Sequence, residues 1–270
     1  MGAVNITGIG INADGGRLNG SLLTLEEDLA FFQQCGYQAV ELSVPGLDLI
    51  VRGKVHQTRL DRVRAITERF PFEYSIHAVS RLNLAFGPEH ELEKDIFAAT
   101  LEVCEALGAR TMVYHSGLIA LERVGALLHP LPDSDGVERA REQEVTALRE
   151  LMPLAAERGI TVAMENRDPH PWEVAVLRRE GRDPTELPFF HGGLLIPNLI
   201  AQIQAVDHPN LGICLDLAHL FLATNHLGLD YLEAVRQAAP WVRHVHANDN
   251  FGVLGDAFDG LADRNPYGEG

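Results

Sequence analysis

The 270-residue sequence predicts an α/β protein, a TIM-type (β/α) barrel lacking its eighth βα unit. Three observations predict it. Short β-rich runs alternate with longer helical patterns, as in βα units built around a parallel sheet. The strand-like runs begin near residues 4, 39, 73, 111, 160, 211 and 242, a mean spacing of roughly 40 that fits a unit of ~30 residues plus loops. No G-x-G-x-x-G fingerprint follows the first run; Gly8-Ile9-Gly10-Ile11-Asn12-Ala13 stands there instead, which disfavours an open dinucleotide-binding sheet.

The elements follow in order. The first strand is Val4–Ile11. A helix opens at Thr24, where Thr24-Leu25-Glu26-Glu27 supplies a capping hydroxyl and a carboxylate three positions on. It carries Leu25, Leu29 and Phe32 and stops at Gly36. Strand two is Ala39–Val44, followed by a helix over Thr58–Arg69. Strand three is Glu73–Val79, with a helix over Glu89–Leu107 closed by Gly108. Strand four is Thr111–His115, and a long helix spans Gly136–Arg158 up to Gly159. Strand five is Ile160–Glu165. The segment Arg167–Gly193, rich in Pro, Arg and Glu, is too long for an ordinary βα loop and is expected to wall a site. Strand six is Gly212–Leu217, and a helix over Asp230–Ala239 leads to strand seven, Val242–Ala247. The barrel domain is placed at residues 1–250 and an irregular tail at 251–270.

Composition bounds the class. With 46% hydrophobic and 22% charged residues the chain can bury a core and is not a disordered segment. No apolar run approaches the ~18–20 residues of a membrane span, so no membrane is expected as a partner. Met1-Gly2-Ala3-Val4-Asn5 lacks the basic and apolar regions of a signal peptide. Cys35, Cys104 and Cys214 are far apart and form no C-x-x-C pair, so they read as reduced thiols in a cytoplasmic protein. A net charge of −16 repels phosphate backbones and disfavours nucleic acid.

Chemistry in such a barrel sits at the C-terminal ends of the strands. There the sequence places His77, His115, Glu165, Asp216 and His246, with Asp249 just beyond. A carboxylate ending a buried apolar strand loses hydration and needs a cation or hydrogen bonds. Five such ends would converge on one pocket, where a divalent metal is the simplest charge balance. Glu165, Asp216 and His246 make a mixed oxygen and nitrogen set that suits Mn, Mg, Co or Zn. Asp216-x-x-His219 lets both side chains meet where the strand turns, and His219 reads as a ligand or as a hydrogen-bond donor to substrate. His244 shares a strand face with His246 but lies farther from the mouth, in a supporting place with Asn248 and Asp249. His77 and His115, each taken alone, read as hydrogen-bonded structural residues sooner than as ligands. His56, His90, His129, His170, His191, His208 and His226 read as surface residues. Arg17, Arg167, Arg178 and Arg179 could meet a phosphate or carboxylate, with surface solvation the simpler role for most of them.

At these residues the sequence resembles the xylose isomerase-like TIM-barrel superfamily, which includes sugar isomerases and epimerases and the endonuclease IV branch. The matching pieces are Ser75-Ile76-His77-Ala78, Val113-Tyr114-His115-Ser116-Gly117, Met164-Glu165-Asn166, Leu215-Asp216-Leu217-Ala218-His219 and His244-Val245-His246-Ala247-Asn248-Asp249-Asn250. The resemblance implies one divalent metal held by Glu165, Asp216 and His246, with a fourth carboxylate from strand eight. It implies Glu165 as the proton-transferring group and His219 as a substrate-binding histidine; in the endonuclease branch, His77 and His115 bind further zinc ions. The expected activity is metal-dependent isomerisation or epimerisation of a small sugar or sugar acid through an enediolate. A multi-zinc phosphodiesterase and a non-catalytic sugar-binding relative are the alternatives. The charge and Asn166-Arg167-Asp168-Pro169 after Glu165 count against the phosphodiesterase. Tyr267-Gly268-Glu269-Gly270 resembles the loop before strand eight, so the expectation is a truncated chain of low activity. Its strands one and seven would leave open edges that favour a homo-oligomer.

Overall fold

The computed structural model describes residues 8–85, 90–117, 131–252 and 254. In chain order the described elements begin with β1 (Gly10–Ala13), α1 (Gly15–Leu18), α2 (Leu22–Cys35), β2 (Ala39–Ser43) and α3 (Val44–Leu47). A hairpin of β3 (Ile50–Val51) and β4 (Lys54–Val55) precedes α4 (Gln57–Thr67), β5 (Glu73–His77), α5 (His90–Ala106) and β6 (Thr111–His115). Then come α6 (Ser134–Glu157), β7 (Thr161–Glu165), α7 (Pro171–Arg179), α8 (Leu187–Phe190) and α9 (Ile196–Val206). The last are β8 (Leu211–Asp216), α10 (Leu217–Leu227), α11 (Tyr231–Ala238) and β9 (Val242–His246). Seven strands form one sheet in the order β1-β2-β5-β6-β7-β8-β9. Sequential neighbours pairing in parallel across helical crossovers is the order that a (β/α) barrel requires.

Two compact units divide the chain. The first takes in residues up to Leu82, Glu91–Tyr114 and Pro153–Val162. Its strands are apolar where they face helices: Val40 and Leu42 of β2 and Ile76 of β5 are fully buried, as are Leu25 and Leu29 of α2. Phe97 of α5 meets Tyr114 edge to face at 5.5 Å, both buried; burial of each such side chain stabilises by about 1.5–3 kcal/mol. Register sets Glu41 opposite Ser75, whose hydroxyl donates to the buried carboxylate at 3.0 Å. Gly46 permits the close approach of α3 to α1. A Cβ there would stand 2.5 Å from the Gly15 Cα, a backbone atom that cannot swing aside. Gly46→Ala should therefore cost about 1–3 kcal/mol, read as a lower urea midpoint with an unchanged slope.

The second unit takes in Asn83–His90, His115–Met152 and the chain from Ala163 on. Its strand β8 is buried along its whole length, and β8 pairs with β9 through an irregularity at Ile213/Cys214 that sets Asp216 abreast of His246. The segment between β7 and α9 folds into helices whose apolar residues share one core with α6 and α10. Val174, Leu177, Leu187, Phe190 and Leu194 pack with Val137, Ala140 and Ala223.

Several boundaries differ from expectation. The first strand is seen from Gly10, and Val4–Thr7 lie outside the described residues. Helix α2 is capped by Ser21, whose hydroxyl accepts the Thr24 N–H at 3.1 Å, so Thr24 sits inside the first turn. Most of the 251–270 tail lies outside the described residues. Among the described residues no helix is long and apolar enough to cross a membrane.

Candidate metal centre

Strand ends in the second unit carry the site. Alternation along β7 sends Val162 and Met164 into apolar packing and leaves Glu165 as the terminal residue, 1% exposed. Asp216 ends β8 and is also the N-cap of α10, its carboxylate accepting the His219 N–H at 2.7 Å. That cap places His219 in the first turn of α10, beside the strand ends. His246 ends β9 with its ring four-fifths covered.

The geometry brings these groups together. His246 Nδ1 lies 3.0 Å from Glu165 Oε1 and 3.6 Å from Asp216 Oδ2. His219 Nδ1 lies 3.4 Å from Glu165 Oε1 and donates to the Asn166 carbonyl at 2.9 Å. Donor atoms of Glu165, Asp216 and His219 fall within 4.8 Å of one another, and so do those of Glu165, Cys214 and His246. His115, at the end of β6, contacts Glu165 Oε2 at 2.8 Å through Nε2 and faces the His219 ring at 6.4 Å. His77 ends β5 in the first unit, its Nδ1 2.8 Å from the Ala78 carbonyl. His244 is half-buried with its ring 5.4 Å from His246. Asn248 is half-buried, and the exposed Asp249 accepts the Asn250 N–H at 2.8 Å.

Electrostatics follow from burial. Loss of water would raise the Glu165 carboxyl, yet His115 and His246 hold it well below the usual carboxylate range. Burial would lower His246, but the acidic side chains of Cys214, Glu165 and Asp216 push it well above the histidine range. Glu165, Asp216 and Asp168 are all at least 97% buried, a concentration of negative charge that calls for cations or donors.

Sequence reasoning missed the groups that hold these residues. The Asn166 side chain accepts the Asp216 N–H at 2.8 Å and donates to the Asp216 carbonyl at 3.0 Å, bridging the ends of β7 and β8. Asn250 donates to the Ala218 carbonyl at 2.9 Å and ties the chain after β9 to α10. His191 is expected at the surface, and solvation is the simpler role for most of the four arginines that include Arg167, yet both His191 and Arg167 are buried. Glu173 is fully buried 2.8 Å from His191 Nδ1, and it accepts the His170 N–H at 2.9 Å. Burial would raise Glu173, but His191 and His170 hold it well below the carboxylate range. His170 would be lowered by burial; the hydrogen bond with Glu173 and the charge of Asp168 raise it instead.

A parallel βα protein whose strand ends gather buried carboxylates and imidazoles is the class that fold and site define. The chain belongs to the xylose isomerase-like TIM barrel family, whose model matches residues 29–270. Among solved structures it is similar to a D-tagatose 3-epimerase-like protein, with a TM-score of 0.66 and 21% identity over 91% of this chain and 78% of that one. It is also similar to the probable 3-DHS dehydratase AsbF of Bacillus anthracis (TM-score 0.61, 17% identity, 96% of this chain and 78% of that one). A curated relative, the uncharacterized protein MJ1311 of Methanocaldococcus jannaschii, is 25% identical over 192 residues, 69% of this chain. The chain spans about half that relative's length, 55%.

Proposed function

We propose that this chain is a divalent-metal-dependent isomerase or epimerase of a small sugar or sugar acid. The observation that carries the reading is the convergence of Glu165, Asp216, His219 and His246 at the buried strand ends. The epimerase and dehydratase titles of similar structures, and the family membership, support the same class. The donor set fits a divalent ion: Glu165, Asp216 and His219 bring donor atoms together, and His246 Nδ1 lies 3.0 Å from Glu165 and 3.6 Å from Asp216, so oxygen and nitrogen ligands adjoin where uncompensated negative charge is costly. Glu165, Asp216 and His246 would hold it, with His219 at the substrate edge. When bound, such an ion stabilises negative charge developing on a substrate carbonyl and its neighbouring hydroxyl. Glu165, ionised at neutral pH, would take the proton from the carbon next to the carbonyl. Asp216, fixed by its own backbone bridge to Asn166, would keep its carboxylate in place. Burial of both carboxylates would keep bulk water from quenching the carbanion.

The test begins with ion binding. Mn²⁺ at about 100 times its dissociation constant should stabilise the fold by about 2.7 kcal/mol, seen as a higher melting temperature. Asp216→Asn and His246→Ala should lose most of that rise. A panel of ketoses and inososes in D₂O should then show deuterium entering at the carbon next to the carbonyl. Ion binding with no exchange across the panel would overturn the isomerase reading, and no ion binding would overturn the metal reading.

A further inference from the structure

Arg167 stands two residues beyond Glu165 and is only 7% exposed. Its backbone N–H donates to the Gly193 carbonyl at 2.9 Å. Gly193 is needed there, because a Cβ would come within 2.7 Å of Arg167 Cγ and 2.3 Å of Ser116 Oγ. The side chain is thereby held with its guanidinium Nη1 against His115 Nδ1. On the far side of the same ring, His115 Nε2 lies 2.8 Å from Glu165 Oε2.

These two contacts place the ring hydrogen. A guanidinium has only donors and stays charged, so the ring atom facing it has to be an acceptor. His115 Nδ1 therefore carries the lone pair, and the ring hydrogen sits on Nε2, aimed at a carboxylate oxygen that can only accept. A metal ligand needs a ring nitrogen with a free lone pair. Here one nitrogen has its lone pair engaged by Arg167 and the other carries the proton.

We propose that Arg167 is a positioning residue that locks His115 as the Nε2–H tautomer, making it a hydrogen-bond donor to Glu165 and withdrawing it from metal ligation, so that the centre takes a single divalent ion. The proposal rests on the reading that an ion binds at Glu165. It assigns His115 to orientation of that carboxylate, with one Glu165 oxygen occupied by the imidazole and the other left toward His246 and His219. It also separates this centre from one in which His115 would bring in a further metal.

The experiment uses the full chain labelled with ¹⁵N-histidine, the His115 signals being assigned by their loss in His115→Gln. In the wild type the two-bond ¹H–¹⁵N pattern should show an unprotonated Nδ1 and a protonated Nε2, and Zn²⁺ should titrate to one equivalent without changing it. Arg167→Met should mix the two tautomers and let the His115 nitrogens shift when Zn²⁺ is added. Arg167→Lys, which keeps a charged donor, should restore the wild-type pattern. A protonated Nδ1 in the wild type, a wild-type zinc count of two or more with the His115 nitrogens moving, or an unchanged pattern in Arg167→Met would each overturn the proposal. If Arg167→Met fails to fold, the wild-type pattern and Arg167→Lys still decide it. Absence of zinc binding in the wild type would count against the metal reading itself, while the wild-type nitrogen pattern would still decide the tautomer.

Discussion

Glu165→Gln should lower turnover by about 10²–10⁴-fold with the divalent ion held at saturation. The amide keeps the size of the side chain but cannot accept a proton, and its NH₂ would face a donor on one side. In the wild type both oxygens are in use: Oε2 meets His115 at 2.8 Å and Oε1 meets His246 at 3.0 Å. The substitution thus removes the proposed base and also unsettles two imidazoles, so the ion should bind more weakly as well. The informative measurement is a Mn²⁺ titration followed by exchange kinetics at saturating Mn²⁺. Turnover that stays at the wild-type rate with the ion bound would remove Glu165 from the reaction.

Glu173→Ala should have the largest effect on stability, a loss of about 3–5 kcal/mol, because it strands a buried histidine whose partner is gone. His191 is 1% exposed, and the apolar core of Leu177, Leu187, Phe190 and Leu194 belongs to the same segment. The same change removes the capping interaction of Glu173 with the His170 N–H at the start of α7. The pH dependence has a definite sign. Glu173 is depressed on folding, so its contribution is present above the unfolded value of about 4.3 and is lost as pH falls through the folded one. His170 is raised, so its contribution is present below about 6.5 and is lost as pH rises through the folded value. The gap in stability between wild type and Glu173→Ala should therefore be widest between about pH 4.3 and 6.5 and narrow on both sides. Urea melts at three pH values would show it; a gap independent of pH would mean that packing alone is lost.

The strand ends were readable from sequence because they obey a simple rule. Apolar runs such as Val162-Ala163-Met164 and Ile213-Cys214-Leu215 break to one ionisable residue, and a parallel sheet brings those breaks to one rim. The positions of Glu165, Asp216 and His246 at strand ends follow from that rule, and the β8–β9 register sets Asp216 abreast of His246. The helix α10 did not follow, although its signal was present: Asp216 was read as a strand-end ligand only, and it is an N-cap too. The short helices after β7 escaped because a run rich in Pro, Arg and Glu looks solvated in sequence. Its buried face is assembled from scattered residues, Val174, Leu177, Phe190 and Leu194, that no single period connects. The burial of Arg167 and His191 escaped for the same reason. Charged types are exposed on average, and burial here is paid for by specific partners that only the folded chain brings near.

The Asn166 amide grips both backbone polar groups of Asp216, so the distance between the two strand-end carboxylates is decided when the sheet assembles. If the proposed ion binds there, its capture would involve no search among loop conformations. Its pace would be set by how fast the ion sheds its own water, and ions that exchange water slowly would load slowly whatever their final affinity. A rigid cradle of this kind would make metal preference a matter of kinetics as much as of equilibrium.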